Sequence, residues 1–316
     1  MKLNQLKTMI DLINNNFNVS KTAEQLFLVQ SAVSQQLKRL EDELGSNLFI
    51  RKGKRLTGLT ELGKKIEQHA RAALTSANNI SLIANDYEQH SQTVLRIGCT
   101  HTQARYILPP IINKFNKCYP QIELQMHQGN PKQLVEWAST DQVDFSICTE
   151  ELEQSTNLAC IQGYQWNRCL VTRPNHPLLK IKKLTLKQLC DYPIITYVAG
   201  FTGRKNLNKT FAGENLKPNV VLSAADTDII KAYVLDDLGI GIIANMAYSA
   251  NVDKSLRQKD LSHLFPWETT RIAYPRNKYI QKFQQTFIDL FLQEIQQEKS
   301  SRFKALSDFS QSGYKK

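Results

Sequence analysis

The 316-residue chain has no apolar run that approaches the roughly 20 residues needed to span a bilayer. Its first residues, Met1-Lys2-Leu3, also lack the apolar stretch and the cleavage site of a secretion signal. We therefore expect a cytoplasmic protein with no membrane partner. Hydrophobic content of 41% and charged content of 22% are ordinary for globular domains, so the chain can bury a sizeable core.

The sequence also lacks the spacings that mark metal sites, disulfide frameworks and catalytic nucleophiles. Its six cysteines include no Cys-x-x-Cys pair, and its six histidines are scattered. It contains no Gly-x-Ser-x-Gly elbow, which would point to a nucleophilic serine. We predict reduced thiols, no metal, no cofactor, no catalytic residue and no enzyme activity.

Acidic residues are in the minority, with 29 Asp and Glu against 40 Lys and Arg, which leaves a formal net charge of +11. This balance favours an anionic partner, with nucleic acid first among the candidates. A basic soluble protein without such a partner would show the same balance.

Three short helices are predicted at the amino terminus. Apolar residues at helical spacing mark the first over residues 3–15, Ser20 is a candidate N-cap for the second, and the third runs from about Gln30 through Leu44 to a Gly45 cap. A polar face on the third helix favours a helix-turn-helix, although another three-helix bundle could show one too. The candidate DNA contacts on this face are Gln30, Ser31, Ser34, Gln35 and Lys38.

Residues 48–57 predict a short two-stranded wing with a basic tip. Four cations in this segment are suited to lying along phosphates, although a solvated basic turn is the alternative. They are Arg51, Lys52, Lys54 and Arg55.

The segment from Ser20 to Gly63 closely resembles the winged helix-turn-helix of LysR-type transcriptional regulators. It shares the Thr-Ala…Leu core, the Ala-Val-Ser of the third helix, and the Leu-Glu…Leu-Gly, Leu-Phe…Arg and Leu-Thr…Thr…Gly patterns. One departure is Ser31, which stands where the family usually has a proline suited to a first helical turn. That departure leaves the start of the third helix open.

Residues 58–90 are predicted to form one linker helix, in which apolar residues recur at spacings of four and three. The seam comprises Leu62, Ile66, His69, Ala73, Ser76, Ile80, Ile83 and Tyr87. His69 and Ser76 weaken it, and the alternative is a helix lying on its own domain. The LysR resemblance implies a homodimer through this helix, and often a homotetramer.

From Val94 the pattern changes to alternating strands and helices, which predicts an α/β layout with parallel sheets. We expect strands at 94–99, 122–128, 143–148, 166–172, 193–198, 219–224, 239–244 and 270–274. We expect helices near 105–118, 131–139, 203–213, 226–237 and 280–297. Two similar halves suggest two Rossmann-like lobes, hinged like those of periplasmic solute-binding proteins.

The domain prediction follows from these patterns. An all-α winged helix-turn-helix occupies residues 1–57, and the linker helix occupies 58–90. A two-lobed effector-binding domain follows at 91–297, with lobe I at about 91–162 and 268–297 and lobe II at about 163–267. We expect the basic tail, 298–316, to be disordered.

Polar side chains follow the first strand of this α/β part, where ligands bind in such folds. Thr100, Thr102 and Gln103 lie between that strand and a helix, so backbone N–H groups and hydroxyls would favour an anion. Helix capping alone is the alternative. Thr202 has the same placement in the other lobe, and Trp166 lies where the chain crosses between lobes.

The stretches "THTQARYILPPIINKF", "WNRCLVTRPNHPL" and "GFTGR" resemble the cysteine-regulon activators, the CysB-like branch of the LysR family, and the resemblance extends to about residue 295. It implies that Thr100, Thr102, Gln103, Trp166 and Thr202 line a cleft. That cleft would take sulfate-like anions and O-acetylserine or N-acetylserine. Thr149, at the end of another strand, is a further candidate.

The resemblance implies a regulator, mainly an activator, of sulfur assimilation and cysteine synthesis genes. Its expected partners are double-stranded promoter DNA, a small anionic effector such as sulfate or thiosulfate, further copies of the chain, and RNA polymerase. One alternative is a LysR-type regulator of another pathway, with an alkanesulfonate or aromatic effector. Another is an enzyme or solute-binding protein with an appended helical domain.

Overall fold

The computed structural model describes residues 1–53, 55–88, 94–201 and 203–293, except for the side chains of residues 85, 87 and 88. Several predictions lie outside these residues, namely Lys54, the side chain of Tyr87, Thr202, positions 294–297 of the last predicted helix, and the tail 298–316. The described residues form two compact units. The first contains residues 1–88 with the segment Asn277–Gln281, and the second contains the rest.

The first unit is a three-helix domain with a hairpin and a long helix. Its elements are α1 (Leu3–Asn14), α2 (Val19–Gln25), α3 (Gln30–Leu44), β1 (Phe49–Lys52), β2 (Arg55–Leu59) and α4 (Glu61–Glu88). Gly45 ends α3 in a left-handed conformation at φ 66°, as predicted. The Ser20 prediction is wrong, because the Asn18 side chain caps α2 by accepting from the Lys21 amide, which leaves Ser20 inside the first turn.

The core of the first unit draws on α1, α3 and the hairpin, with Met9, Leu37 and Leu48 completely buried. Part of the predicted linker seam belongs to this core, since Ile66 and Ala73 pack against it. The prediction that the seam is available to a partner along the whole helix therefore fails at Ile66 and Ala73, in the amino-terminal half. The exposed apolar residues of α4 are Leu62, Ile80 and Ile83, at 42%, 72% and 44% exposure.

The second unit contains two five-stranded sheets, each of which forms the centre of a lobe. The first lobe's sheet has the order β4-β3-β5-β12-β6. Its strands are β3 (Val94–Cys99), β4 (Glu123–Gln128), β5 (Phe145–Cys148), β6 (Leu158–Trp166) and β12 (Glu268–Pro275). It is flanked by α5 (His101–Tyr106), α6 (Leu108–Cys118), α7 (Pro131–Ser139) and α11, which covers residues 282–293.

The second lobe's sheet has the order β11-β7-β10-β8-β9. Its strands are β7 (Arg168–Thr172), β8 (Ile194–Tyr197), β9 (Val220–Ala224), β10 (Ile240–Ala244) and β11 (Arg257–Asp260), and its helices are α8 (Leu186–Cys190), α9 (Arg204–Gly213) and α10 (Thr227–Leu235). Leu170, Ile194, Phe211 and Ile242 form its core.

The predicted α/β layout with two lobes is confirmed, but the sheets are mixed and not parallel throughout. β3 pairs in parallel with β4 and β5, and β8 with β9 and β10, as βαβ crossovers require. β12 runs antiparallel to β5 and β6, and β7 runs antiparallel to β10 and β11. The chain passes between the lobes twice, from β6 to β7 and from β11 to β12.

The predicted strand at 166–172 is two strands in two sheets. Asn167, completely buried, separates β6 from β7, so the chain changes sheets there rather than near residue 163. Its side chain accepts from the Arg168 amide at 2.7 Å and donates to the Phe265 carbonyl oxygen at 2.9 Å. Asn167 thus joins the two segments that connect the lobes.

Candidate functional site

The opening of α5 places two threonine hydroxyls inside the second unit. Thr100 is the N-cap residue, but its side chain makes no capping hydrogen bond, so the capping-only interpretation lacks its expected contact. Thr100 and Thr102 are 4% and 1% exposed. Within the described residues, neither hydroxyl has a hydrogen bond of ordinary geometry. A buried hydroxyl left unpaired costs about 1–3 kcal/mol, so a bound group is expected to satisfy it.

The same stretch shows why the predicted helix at 105–118 is really two helices. α5 ends at Tyr106, and α6 starts again at Leu108 with prolines in its first turn. Proline lacks an N–H, which is tolerated only where no intrahelical partner is required. The break leaves Thr102 in the first turn of a six-residue helix, with Thr100 as its N-cap residue.

Thr102 of the first lobe lies beside Tyr197 of the second. The Tyr197 hydroxyl is 2.7 Å from the Thr227 hydroxyl and accepts from the Ala244 amide at 3.1 Å. Burial raises the pKa of Tyr197, while the Ala244 amide and the neighbouring Thr227 and Thr102 hydroxyls oppose the rise. The ends of β8 and β10 therefore meet the start of α5 at a polar, water-excluded place.

Gln103 is held by the first lobe's own sheet. The Tyr164 hydroxyl of β6 donates to its Oε1, and both side chains are buried. Gln103 lies in the same short helix as the two threonines, but its amide oxygen is already occupied.

Trp166 and Thr149 contact each other directly. Trp166 is only 1% exposed, so it does not form an open wall of a cleft. Its indole Nε1 donates to the Thr149 hydroxyl at 3.1 Å, and that hydroxyl lies 3.2 Å from the hydroxyl of Thr270. Trp166 therefore orients Thr149 at the end of β5.

Gly203, which follows Thr202 in the sequence, is held by hydrogen bonds from both lobes. The Gly203 amide donates to Glu150 at 2.7 Å, and its carbonyl oxygen accepts from Arg168 at 2.6 Å. Its φ is +71°, and an added Cβ would lie 2.2 Å from the Arg168 guanidinium, so only glycine fits. Burial raises the pKa of Glu150, and the Gly203 amide opposes the rise.

An open cavity of about 680 Å³ lies between segments of the two lobes. One wall comes from residues 149–154 and carries Glu150, Glu151 and Glu153, while the other comes from residues 199, 200 and 204–209 and carries Arg204, Lys205 and Lys209. Of the predicted effector contacts that the structure describes, only Thr149 lines it. The others are buried and are not among its lining residues.

A second set of polar contacts joins the lobes at the carboxyl end of α5. Tyr106 donates to Asp228 of α10, and the Arg105 Nε lies 3.4 Å from the same carboxylate. Lys231 approaches the Tyr106 hydroxyl at 3.3 Å and pairs with Asp253 at 2.8 Å. These contacts hold the two lobes together on one side of the threonines.

Sequence reasoning missed several residues of this site. Tyr197 and Asn245 sit at the ends of β8 and β10, where the rule that placed Thr100 after β3 could also have found them. No sequence pattern pointed to Arg168 and Glu268. They are 100 positions apart and meet only because the two segments that connect the lobes lie side by side.

In the first unit, α3 presents the polar face that the sequence predicts. The helix begins at Gln30 with Val29 as its N-cap residue, and no side chain caps it there, which settles where it starts. All the candidate contacts on this helix are exposed, namely Gln30, Ser31, Ser34, Gln35 and Lys38.

The predicted wing forms, but one of its cations has a structural contact. Arg51 donates to the buried Glu41 of α3 at 2.7 Å, and the same carboxylate accepts from the Leu48 and Phe49 amides. Arg51 therefore fastens the hairpin to α3. Lys52 and Arg55 are exposed on either side of the turn.

The described residues contain neither a helix that could span a membrane nor a cluster of metal ligands. None of the helices there combines the length and apolar character that crossing a membrane requires. The same residues hold no group of three or more His, Cys, Asp or Glu side chains that could bind a metal ion.

Comparison with known families matches the chain to two models. Residues 88–296 match the LysR substrate binding domain, and residues 3–64 match the bacterial regulatory helix-turn-helix proteins of the lysR family.

Three relatives show how far the similarity extends. The chain is 40% identical to the HTH-type transcriptional regulator CysB of Haemophilus influenzae, over 92% of this chain and 90% of that protein. It is 38% identical to the regulator SsuR of Burkholderia cenocepacia, over 92% and 94%. The crystal structure of the cofactor-binding domain of the Cbl regulator superposes with a TM-score of 0.61 at 32% identity, over 66% of this chain and 96% of that one.

Proposed function

The chain belongs to the LysR family of bacterial transcriptional regulators, and from that premise we propose that it controls genes of sulfur assimilation and cysteine synthesis. It is a regulator and not an enzyme. The proposed signal is a small anionic effector, such as N-acetylserine, O-acetylserine, sulfate or thiosulfate. The proposed role is mainly activation, through promoter DNA and RNA polymerase.

The observation that carries the effector proposal is that the buried hydroxyls of Thr100 and Thr102 make no hydrogen bond of ordinary geometry within the described part of the chain. Hydroxyls donate well to an oxyanion, and a hydrogen bond to a charged group contributes about 1.5–3 kcal/mol. An aromatic effector would gain little from two hydroxyls. Thr149, Thr202, Gln103 and Trp166 complete the proposed effector-binding set. Of these, Gln103 and Trp166 also hold the surrounding geometry through their own hydrogen bonds.

A second candidate is a regulator of alkanesulfonate use. The observation that favours it is the 38% identity to SsuR, almost the same as the identity to CysB. A sulfonate presents the same oxygens as sulfate but also carries an apolar group. The effectors of the two candidates therefore differ in the chemical group that is attached to the anionic oxygens' centre, which is apolar in an alkanesulfonate.

For DNA, we propose that the exposed face of α3 reads bases while Lys52, Lys54 and Arg55 contact phosphates. The exposed Ile80 and Ile83 of α4 support association of two copies through this helix, since large exposed apolar side chains mark contact surfaces. A two-fold dimer or tetramer would bind a roughly palindromic site. Closure of the lobes on the effector would shift the assembly between two arrangements on DNA.

Titration of the full-length protein by calorimetry tests the effector proposal. The ligands are N-acetylserine, O-acetylserine, sulfate, thiosulfate, an alkanesulfonate and benzoate. Binding of the first four supports sulfur control, whereas binding of the alkanesulfonate alone supports the second candidate. If benzoate, in which the carboxylate is attached to an aromatic ring, binds and none of the other ligands does, the proposal is wrong.

A further inference from the structure

Val29, at the start of α3, is an apolar residue in a position that usually carries a polar one. It is the N-cap residue of the helix, where serine, threonine, aspartate and asparagine are preferred because their side chains accept from the first helical amides. A valine side chain cannot accept, and no side-chain hydrogen bond caps α3. Val29 is also 69% exposed, so its methyl groups serve neither the cap nor the core.

The backbone on both sides holds Val29 in a defined place. Its carbonyl oxygen accepts from the Ala32 amide at 3.0 Å, in the first turn of α3. Just before it, the Leu28 amide donates to the Ala23 carbonyl oxygen at 2.9 Å and closes the turn between α2 and α3. A stiff β-branched side chain on a fixed backbone loses little conformational entropy when a partner covers it.

Val29 continues the proposed base-reading face of α3. Gln30 and Ser31 follow it directly in the sequence. An open hollow of about 490 Å³ on this face is lined by Ser31, Ala32, Ser34, Gln35 and Lys38. Because the chain belongs to a family of helix-turn-helix regulators, the amino-terminal end of this helix is expected to meet base edges in the major groove. The partner that fits Val29 is therefore DNA.

The chemistry of the major groove narrows the contact to one group. Phosphates and the donors and acceptors of the base edges gain nothing from an apolar side chain. The C5-methyl group of thymine is the apolar feature that the groove presents, and apolar side chains contact it. Removing such a methyl group from water raises affinity by about fourfold.

We propose that Val29 is a specificity-determining residue that contacts the C5-methyl group of a thymine in each half-site. This inference rests on the proposed reading of bases by α3, and it adds a position at which thymine is selected by its methyl group rather than by a hydrogen bond.

Binding of the full-length protein to DNA that lacks single methyl groups tests the proposal. The probe is a duplex that the wild-type protein selects from a random pool. Each of its thymines is replaced in turn by deoxyuridine, which keeps every hydrogen-bonding atom of thymine but lacks the methyl group. We expect one replacement in a half-site to weaken wild-type binding about fourfold, and Val29→Ala to bind that duplex and the parent duplex equally well.

Two further variants control for folding and for the loss of any exposed valine. Val29→Ser also removes the methyl groups but supplies a preferred N-cap, so it should lose the same discrimination without a lower melting temperature. Val252→Ala changes a valine of the second unit that is 72% exposed, and it should discriminate between the two duplexes as the wild type does.

If every deoxyuridine replacement affects the wild type and Val29→Ala equally, the proposal is wrong, although selection of a specific duplex would leave the proposed DNA recognition intact. Retained discrimination in Val29→Ser would also overturn it, because no valine methyl group would then be needed. A wild-type protein that selects no sequence from the pool would instead refute the reading of bases by α3, and this inference with it.

Discussion

Arg168 of β7 donates to Glu268 of β12 at 2.6 Å, and the two side chains are only 3% and 5% exposed. The pair crosses from the second lobe to the first. Asn206 donates to both oxygens of the same carboxylate, and Arg168 also donates to the Gly203 carbonyl oxygen. Gly203 and Asn206 are thus both held by a buried interlobe ion pair.

Removing one member of this pair should destabilise the second unit strongly. In Glu268→Ala the Arg168 cation stays buried without its partner, so we expect the free energy of unfolding to fall by about 3–5 kcal/mol. Urea denaturation measures it. Glu153→Ala is the control, because this carboxylate is 66% exposed where it pairs with Arg271, and its loss should cost at most about 1 kcal/mol. Similar effects of the two variants would show that the buried pair has no special role.

Thr102→Val should weaken effector binding with little effect on folding. The valine keeps the shape of the side chain but removes a donor to a charged group, worth about 1.5–3 kcal/mol or a ten- to hundredfold loss of affinity. Calorimetry with N-acetylserine and sulfate measures it, and melting curves report folding. Thr140→Val, at the end of α7, is the control because its exposed hydroxyl bonds only locally, to the Glu136 carbonyl oxygen and to the Gln142 side chain. A drop in melting temperature with unchanged ligand affinity would favour a structural role for the hydroxyl.

Two arginines of the wing should behave differently in DNA binding. Arg55→Ala should weaken binding to specific and scrambled DNA alike and reduce the salt slope by about one counterion. Arg51→Ala should instead lower the stability of the first unit, because it leaves the buried Glu41 carboxylate without its cation. Binding across a range of salt concentrations, with melting curves, separates the two. An unchanged slope for Arg55→Ala would remove this residue from the phosphate contacts.

Base recognition on α3 is tested separately. Gln30→Ala or Ser34→Ala should alter the preference among DNA sequences by about 1–3 kcal/mol for each hydrogen-bonded base that the side chain no longer reaches, while the salt slope stays the same. Competition binding with systematically varied operators measures this preference. If both variants lose affinity equally for every sequence, the helix does not read bases at these positions.

If two copies associate through α4, as we propose, Ile80→Lys should separate them. Ile80 is 72% exposed in the single chain, and a lysine at a buried contact would be an unpaired charge. Light scattering measures the assembly state. Asn78→Lys places the same charge on the same helix outside the predicted seam and should leave the assembly unchanged. A full-sized assembly of Ile80→Lys would place the contact elsewhere.

Local sequence patterns predicted most elements of the fold because these elements depend on short-range chemistry. The apolar periodicity of residues 131–139 and the strand at 94–99 match the structure residue for residue. The misses have local reasons as well. β11 has the sequence Arg-Gln-Lys-Asp, which lacks the apolar alternation of a strand, and it forms only because β7 offers it an edge.

The sequence by itself determined the family, the polar face of α3 and the stretch that carries Thr100 and Thr102. Each of these depends on neighbours within a few residues and on recognisable motifs. Only the tertiary structure decided that Arg51 is bound to Glu41, that Trp166 orients Thr149, and that Thr102 lies beside Tyr197. Those relationships join positions that are far apart in the chain, and burial and unsatisfied hydrogen-bonding groups become visible only when distant segments are packed together.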